Sequence, residues 1–427
     1  MRIDKNRGGL NVRAKQQRHG GNIKLHLHIG TEKTGTTSFQ KWLLQYQEKL
    51  EASGIIRPEW PDRFLADINH RMLAIYAQGF VPSDDGQADL GLKTEAQYQS
   101  LCTAFTGFFA KEVARRGAGE WIISSEHMHS RLTRVTQVQH LAAFLRPYFS
   151  EIIIHIHLRP QLDLARSVAT TLSRAGGRVT ADSFNKVAEE VPYFNYHTLV
   201  GRWAQVFGAK QVRLVAYKRQ PSIRRYFLEL WGLNEADFGA ELAENRAESW
   251  QLMALKNALH PYRKQIPDMK RLNSMMVDTP EGAALQPGLA LAKAVTARMK
   301  RSNAALVKAW PALTMADLTP NWSDYNHAET LSRLETPCAF APQAAALIVE
   351  LQGALLLERA RTHVLRAHEA LQNGRKMKAY EWIAKATAQM DLIEPTWKDR
   401  RVFIRLSRHL AKMMLDRPAG KPPGEAD

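Results

Sequence analysis

Cysteine is nearly absent from this sequence of 427 residues, which contains Cys102, Cys338 and no others. Two cysteines so far apart exclude a disulfide framework and a thiolate zinc cluster, and they favour a reducing compartment. Long apolar runs are missing too, because no stretch of about 18 hydrophobic residues occurs. No hydrophobic segment follows the charged residues 1–22, as it would in a signal peptide. The sequence therefore predicts a cytoplasmic protein with no membrane span.

Acidic residues are outnumbered, with 42 Asp and Glu against 59 Lys and Arg, which gives a formal net charge of +17. Residues 1–22 carry six bases and one acid on a Gly-rich background, a composition that predicts a basic disordered tail. A basic surplus suits an anionic cofactor or an acidic glycan, but a solvated surface has the same composition. Aromatic residues do not interleave with the bases and no nucleic-acid-binding module is recognisable, so we expect no nucleic-acid partner.

Apolar strands alternate with helical segments through the first half of the chain. The predicted strands are 23–29, 121–125, 152–158 and 212–217. Helical spacing follows the first of them at 39–50, and amphipathic segments lie before or after the others. Strands that alternate with helices form parallel sheets with crossover helices on both faces. The sequence therefore predicts a three-layer α/β domain over residues 23–250.

Beyond about residue 250 the β-branched runs disappear, and Ala, Leu, Arg, Lys and Gln dominate segments with helical periodicity. We interpret 251–415 as a mostly helical region and the Pro- and Gly-rich 416–427 as a loose tail. Within the helical region, 361–395 is similar to a single tetratricopeptide unit in the placement of its small residues and its closing Pro395. One such unit cannot bury its own apolar face, and no second copy is visible.

A short loop separates the first strand from the first helix and reads GTEKTGTTS over residues 30–38. A loop in this position presents backbone N–H groups and the positive end of the helix dipole to an anion. Gly30 and Gly35 have the spacing of a nucleoside-triphosphatase loop, but Thr36 stands where that loop has its lysine. The lysine is Lys33, two residues before Gly35, and no clear acidic magnesium ligand follows a later strand. The loop therefore differs from that of an ATPase or GTPase.

The segment from Lys33 to Thr37 resembles the sulfotransferase loop, which reads Pro-Lys-Ser-Gly-Thr-Thr and holds a phosphosulfate. That family has a second motif, an arginine at the end of a later strand and a serine eight positions on, both of which bind a 3′-phosphate. Arg159 ends the predicted strand 152–158, and Ser167 lies eight residues further on. With both motifs in order, residues 23–250 are similar to sulfotransferases that use 3′-phosphoadenosine 5′-phosphosulfate (PAPS).

The resemblance implies a fold of the P-loop nucleotide-kinase type and transfer of a sulfuryl group from PAPS to a hydroxyl or amine, with no metal required. Ser38 stands where cytosolic small-molecule sulfotransferases have tryptophan, so the bacterial and carbohydrate-acting branch is the closer match, and the implied acceptor is a small molecule or glycan, including anionic ones. The basic segment that closes over the 3′-phosphate in cytosolic members has no clear match, and Arg246 is the candidate for that contact. The implied donor-binding residues are Lys33, Thr34, Gly35, Thr36, Thr37, Ser38, Arg159, Ser167 and Arg246.

Sulfuryl transfer needs a cation at the leaving group and a base for the acceptor proton. The resemblance assigns the first role to Lys33 and places the base after the strand 121–125. Glu126 aligns with the base of the family, and His127 or His129 is the alternative candidate for this role. A carboxylate at a strand end can instead cap the next helix or pair with an arginine.

Two other functions stay open at this point: a P-loop kinase or NTPase, and a scaffold whose loop binds no nucleotide and whose helical half binds a protein. The sequence leaves the acceptor, the choice of oxygen or nitrogen, and the oligomeric state undecided. His26 and His28, like His155 and His157, alternate along a strand, so each pair shares one strand face. No third metal ligand is evident beside them, and a buried or solvated strand position is the favoured interpretation.

Overall fold

The computed structural model describes residues 23–65, 68–239, 248–266, 283–335 and 341–393, together with 405, 406, 408, 409 and 412. The chain divides into two compact units. The described residues of Met1–Val168, Ser183–Arg246 and Leu289–His327 form the first unit, and those of Ala169–Asp182, Ala247–Gly288 and Ala328–Asp427 form the second. The predicted tails 1–22 and 416–427 lie outside the described residues.

The first unit is built on a parallel sheet. Its strands are β1 (Ile23–Gly30), β2 (Ile55–Ile56), β3 (Gly119–Ser124), β4 (Glu151–Leu158) and β5 (Val212–Ala216). In the described part of the chain the sheet has five strands in the order β2-β3-β1-β4-β5, and all neighbours are parallel. The prediction of an α/β fold with a parallel sheet is confirmed. Strand β2 was not predicted, because two residues are too few to show an alternation.

Helices precede and follow the strands and continue through the rest of the chain. They are α1 (Thr36–Gln45), α2 (Gln47–Ala52), α3 (Arg71–Gln78), α4 (Asp85–Asp89), α5 (Glu95–Arg116), α6 (His127–Arg131), α7 (Val135–Leu145), α8 (Gln161–Arg174), α9 (Asp182–Asn185), α10 (Tyr196–Phe207), α11 (Ile223–Trp231), α12 (Trp250–Leu259), α13 (Leu289–Arg298), α14 (Lys300–Ala309), α15 (Met315–Leu318), α16 (Ala341–Gln372) and α17 (Lys376–Met390). Within the described residues, none of the helices has the length and apolar character needed to cross a bilayer.

Both faces of the sheet are covered by helices, because side chains alternate between the faces along each strand. On one face His28 of β1 contacts Phe39 of α1 and Phe227 of α11. On the other face Trp121 of β3 contacts Phe149, whose ring also packs against helix α5. Burial of these large side chains is the main stabilising contribution to the three layers.

Residues 289–327 belong to the first unit although they come well after the last strand, β5, in the sequence. Gln161, at the start of α8, exchanges two hydrogen bonds of 2.8 and 3.1 Å with Asn303 of α14. Both side chains are buried, so each amide satisfies the polar groups of the other. Tyr325 donates a hydrogen bond to Asp163 of α8. These contacts support the connection between β4 and α8.

The second unit contains a helical hairpin made by α16 and α17. Gly374 lies in the connection with φ of 70°, a conformation that glycine adopts without a Cβ penalty. Small and branched side chains fill the space between the two helices. The buried members of this core are Ala360, Val364, Ala367, Ala370, Ala379, Ile383, Ala386 and Met390. Pro395, the closing proline of the predicted tetratricopeptide-like unit, lies outside the described residues.

Candidate functional site

The backbone of the loop between β1 and α1 adopts dihedral angles that are unfavourable for residues with a side chain. Gly30 and Gly35 have φ of 86° and 93°, and Lys33 between them has φ of 63°. Glycine adopts such angles easily, whereas a residue with a Cβ is destabilised there by about 1–2 kcal/mol. The buried Thr34 hydroxyl donates to the carbonyl of Thr31 at 2.7 Å and closes the turn. Strain of this kind is typical of loops that bind ligands.

Helix α1 begins at Thr36, directly after the loop. Its N-cap is Gly35, where no side-chain cap hydrogen bond forms, and its first turn has no acidic residue. The N–H groups at the start of a helix have no acceptor within the helix and carry the positive end of its dipole. Thr37 and Ser38, in the first turn of the helix, are half-buried. The arrangement suits a phosphate or sulfate group.

Arg159 connects the second motif to the loop. It follows β4, which lies beside β1, and its Nη1 donates to the carbonyl oxygen of Lys33 at 2.8 Å. The carbonyl of Arg159 accepts a hydrogen bond of 2.7 Å from the hydroxyl of Tyr196, and its guanidinium lies 5.1 Å from the ring centroid of Tyr217. Its Nε is buried and has no hydrogen-bond partner among the described residues. An anion at this position would supply the missing acceptor.

Of the other two candidates for the 3′-phosphate contact, the structure describes one. Ser167 is half-buried in α8, the helix that begins two residues after Arg159. Arg246 lies outside the described residues.

Glu126 follows β3 and packs against the first residue of the loop. A Cβ placed on Gly30 would lie 3.2 Å from the Cβ of Glu126 and 3.2 Å from the backbone nitrogen of Glu32. Gln40 of α1 donates from Nε2 to the Glu126 Oε2 at 2.7 Å. Glu126 is also the N-cap residue of α6, but its side chain makes no cap hydrogen bond there. The carboxylate is therefore turned toward the loop and α1.

His127 is half-buried beside Glu126. Arg131 donates to its Nδ1, and a guanidinium nitrogen can only donate, so this ring nitrogen is occupied as an acceptor. Burial and the positive charge of Arg131 lower the pKa of His127. A histidine in this state is a weaker base than a solvent-exposed histidine.

His129 is buried, and both of its ring nitrogens bond to the backbone. Nε2 donates to the carbonyl of Tyr193 at 2.9 Å, and Nδ1 accepts from the N–H of Glu32 at 3.3 Å. Burial lowers the pKa of His129 to about 4, so the ring is neutral at neutral pH. These bonds give His129 a structural role in the loop.

Two polar residues of this site were not singled out from the sequence. Burial raises the pKa of Glu32, but hydrogen bonds from Ser130 and Tyr193 outweigh it and leave the pKa lowered. Tyr193 donates to the Glu32 carboxylate at 2.9 Å. Gln40 lies on the buried face of α1 beside Phe39. An acid in an anion-binding loop and an amide on an apolar helix face are signals that the sequence contained.

The histidines on strands β1 and β4 are buried. His26 Nδ1 is 2.9 Å from His155 Nε2, and His28 Nδ1 is 2.8 Å from the hydroxyl oxygen of Ser124. His157 is buried with neither ring nitrogen hydrogen-bonded to a described residue. Across the part of the chain that the structure describes, no group of three or more His, Cys, Asp or Glu residues is arranged to hold a metal ion.

No model of a known protein family matches the sequence, and a comparison with curated proteins also finds no match. Among solved structures, the chain is similar to the crystal structure of a sulfotransferase from Alicyclobacillus acidocaldarius, with 16% sequence identity and a TM-score of 0.37. The match covers 70% of this chain and 98% of that chain. A similarity of this size does not establish a family for the chain.

Proposed function

We propose that the protein is a PAPS-dependent sulfotransferase of the P-loop type. The supporting observation is the hydrogen bond of 2.8 Å from Arg159 Nη1 to the Lys33 carbonyl, because it joins two motifs that lie 126 residues apart in the chain. It does so at the carboxyl ends of the adjacent parallel strands β1 and β4, where ligands bind in open α/β sheets.

The donor would be held at its two phosphate groups. The N–H groups at the start of α1, with the hydroxyls of Thr37 and Ser38, would bind the 5′-phosphosulfate. Arg159 has an unpartnered, buried Nε in the described structure and would bind the 3′-phosphate, with Ser167 as its companion. A guanidinium suits this role because it presents several donors in a fixed plane.

In-line transfer breaks the S–O bond to the donor phosphate and forms an S–O bond to the acceptor. The bonding electrons stay on the phosphate oxygen, where the ammonium of Lys33 would stabilise the developing charge. The acceptor proton leaves as the new bond forms, and the Glu126 carboxylate would take it. We therefore assign leaving-group stabilisation to Lys33 and the general base to Glu126.

The acceptor we propose is a hydroxyl group of a carbohydrate or a related small molecule. A carboxylate base at Glu126 and a serine at position 38 support the carbohydrate-acting branch over the cytosolic small-molecule branch. The net charge of +17 supports an acceptor that carries acidic groups.

Calorimetric titration with adenosine 3′,5′-bisphosphate (PAP), the product left by PAPS, tests the donor site. We expect PAP to bind with a Kd of about 1 µM, and Arg159→Met to weaken it about 10- to 100-fold, the effect of losing charge-assisted hydrogen bonds. The matched control is Arg213→Met. Arg213 is exposed and donates to the backbone carbonyl of Lys210 at 2.8 Å, so it makes the same kind of bond outside the site.

The competing functions give different titrations. ATP with magnesium binding more tightly than PAP would favour a kinase or NTPase. Binding of neither nucleotide would favour a scaffold. Either result would overturn the proposal.

Gly30→Ala is expected to lower the rate of PAP formation from PAPS about tenfold or more. The new methyl group would meet the Glu126 Cβ at 3.2 Å and displace the base, and a misplacement of a catalytic group by a fraction of an ångström is costly. Gly54→Ala is the control, because Gly54 has φ of 82° and open space around its Cβ position. Both variants should lose about 1 kcal/mol of stability from backbone strain. An equal rate in the two variants would contradict a functional position for Glu126.

A further inference from the structure

The side-chain amide of Gln40 forms hydrogen bonds through its nitrogen but not, within the described residues, through its oxygen. Its Nε2 donates to Glu126 Oε2 at 2.7 Å and lies 3.2 Å from the hydroxyl oxygen and 3.4 Å from the carbonyl oxygen of Ser124. Its Oε1 is buried and has no hydrogen-bond partner among the described residues. Because a carboxylate only accepts, the nitrogen end of the amide must face Glu126.

Ser124, the second partner of this amide, forms further hydrogen bonds to two histidines. Its hydroxyl oxygen is 2.8 Å from His28 Nδ1. Its N–H donates to His70 Nδ1 at 3.1 Å, and its carbonyl accepts from the N–H of His70 at 3.0 Å. All three residues are buried, and burial keeps both histidines neutral by lowering the pKa of His70 to about 3 and that of His28 well below 6.5. The amide of Gln40 is therefore fixed against a rigid part of the sheet.

We propose that Gln40 is a positioning residue that sets the orientation of the Glu126 carboxylate toward the acceptor. The inference rests on the proposed function, in which Glu126 is the base. Gln40 lies in the second turn of α1, and the first turn of the same helix begins at the phosphate loop. One helix thereby holds both the donor anion and the base, so their separation is set by a rigid element.

The shortest contact of the amide is the one to Glu126, at 2.7 Å against 3.2 and 3.4 Å to Ser124, so the carboxylate is its main partner. A buried carbonyl oxygen without a partner costs about 1–3 kcal/mol, and an apolar side chain of the same length in this position would avoid that cost. Leu43, the neighbour of Gln40 one turn further along α1, is buried and apolar. What the amide adds is a donor to the carboxylate.

The test is a double-mutant cycle on the rate of PAP formation from PAPS with water as the acceptor. Gln40→Met keeps the side-chain length and removes the donor, and we expect kcat to fall about tenfold while the Kd for PAP stays within twofold. In the Glu126→Gln background the same substitution should change kcat by less than twofold, because residues that act through one another are not additive. Gln45→Met, on an exposed position of the same helix, should leave kcat and Kd unchanged.

The outcomes separate this inference from the proposed function. If the unmodified protein neither binds PAP nor forms it from PAPS, the proposed function fails. If it does both and Glu126→Gln lowers kcat to a measurable residual rate, but Gln40→Met keeps the original kcat or lowers it equally in both backgrounds, the positioning role alone is wrong. Should Gln40→Met fail to fold, Ser124→Ala takes its place, since it removes the hydroxyl partner of the amide. We then expect kcat to fall about threefold, and an unchanged kcat would overturn the inference.

Discussion

Lys33→Gly is expected to lower the rate of sulfuryl transfer by about two to three orders of magnitude. The substitution removes the ammonium that would stabilise the leaving phosphate, and loss of one such electrostatic group lowers kcat by about 10²- to 10³-fold. The backbone at Lys33 has φ of 63°, a conformation that glycine accepts more readily than lysine. The unfolding free energy of Lys33→Gly should therefore exceed that of Lys33→Ala, which also lacks the side chain, by about 1 kcal/mol. Steady-state PAP formation and urea unfolding measure the two quantities.

Two further variants make the Lys33 result specific. Lys33→Ala removes the same charge but keeps a Cβ at the strained angle, so it should lose the same activity and gain no stability. Lys41→Ala removes an exposed lysine of α1 and should keep the kcat of the unmodified protein. A kcat for Lys33→Gly within threefold of the unmodified protein would show that Lys33 does not act on the leaving group.

Mild acid is expected to unfold the first unit, because several of its histidines are buried in neutral form. Burial lowers the pKa of His70 and His157 to about 3 and that of His129 to about 4. In the unfolded chain these groups bind protons below about pH 6.5. The unfolded state then holds more protons than the folded state, so stability falls as the pH drops from 6.5 toward 4. Each histidine contributes a slope of about 1.4 kcal/mol per pH unit.

The three histidines together lower the unfolding free energy by about 4 kcal/mol per pH unit. Over about two to three pH units this loss exceeds the usual stability of a domain. Urea unfolding at pH 7, 6 and 5 measures the slope. His157→Leu should reduce the slope by one proton, since this ring is buried and has no hydrogen-bond partner in the described structure. The exposed His327→Leu should not change it. A flat dependence of stability on pH between 7 and 5 would show that these histidines are accessible to protons in the folded state.

Much of the fold can be predicted from local pattern. Apolar alternation located β1, β3, β4 and β5, and the spacing of glycines located the loop before α1, because strands, turns and helix starts are dictated by neighbouring residues. The candidate residues Lys33, Arg159 and Glu126 were named from the resemblance to the sulfotransferase motifs, and each follows a strand whose end is visible in the sequence. Their roles in sulfuryl transfer stay predictions until the substitutions are measured.

Contacts between distant segments required the tertiary structure. The bond from Arg159 to the Lys33 carbonyl depends on β4 lying beside β1, and the bond from Gln40 to Glu126 depends on α1 packing near the end of β3. The pairing of Gln161 with Asn303, which attaches a late segment to the first unit, spans 142 residues. Sequence periodicity specifies which face of an element is apolar, but the partner of that face is chosen by the packing of the whole chain.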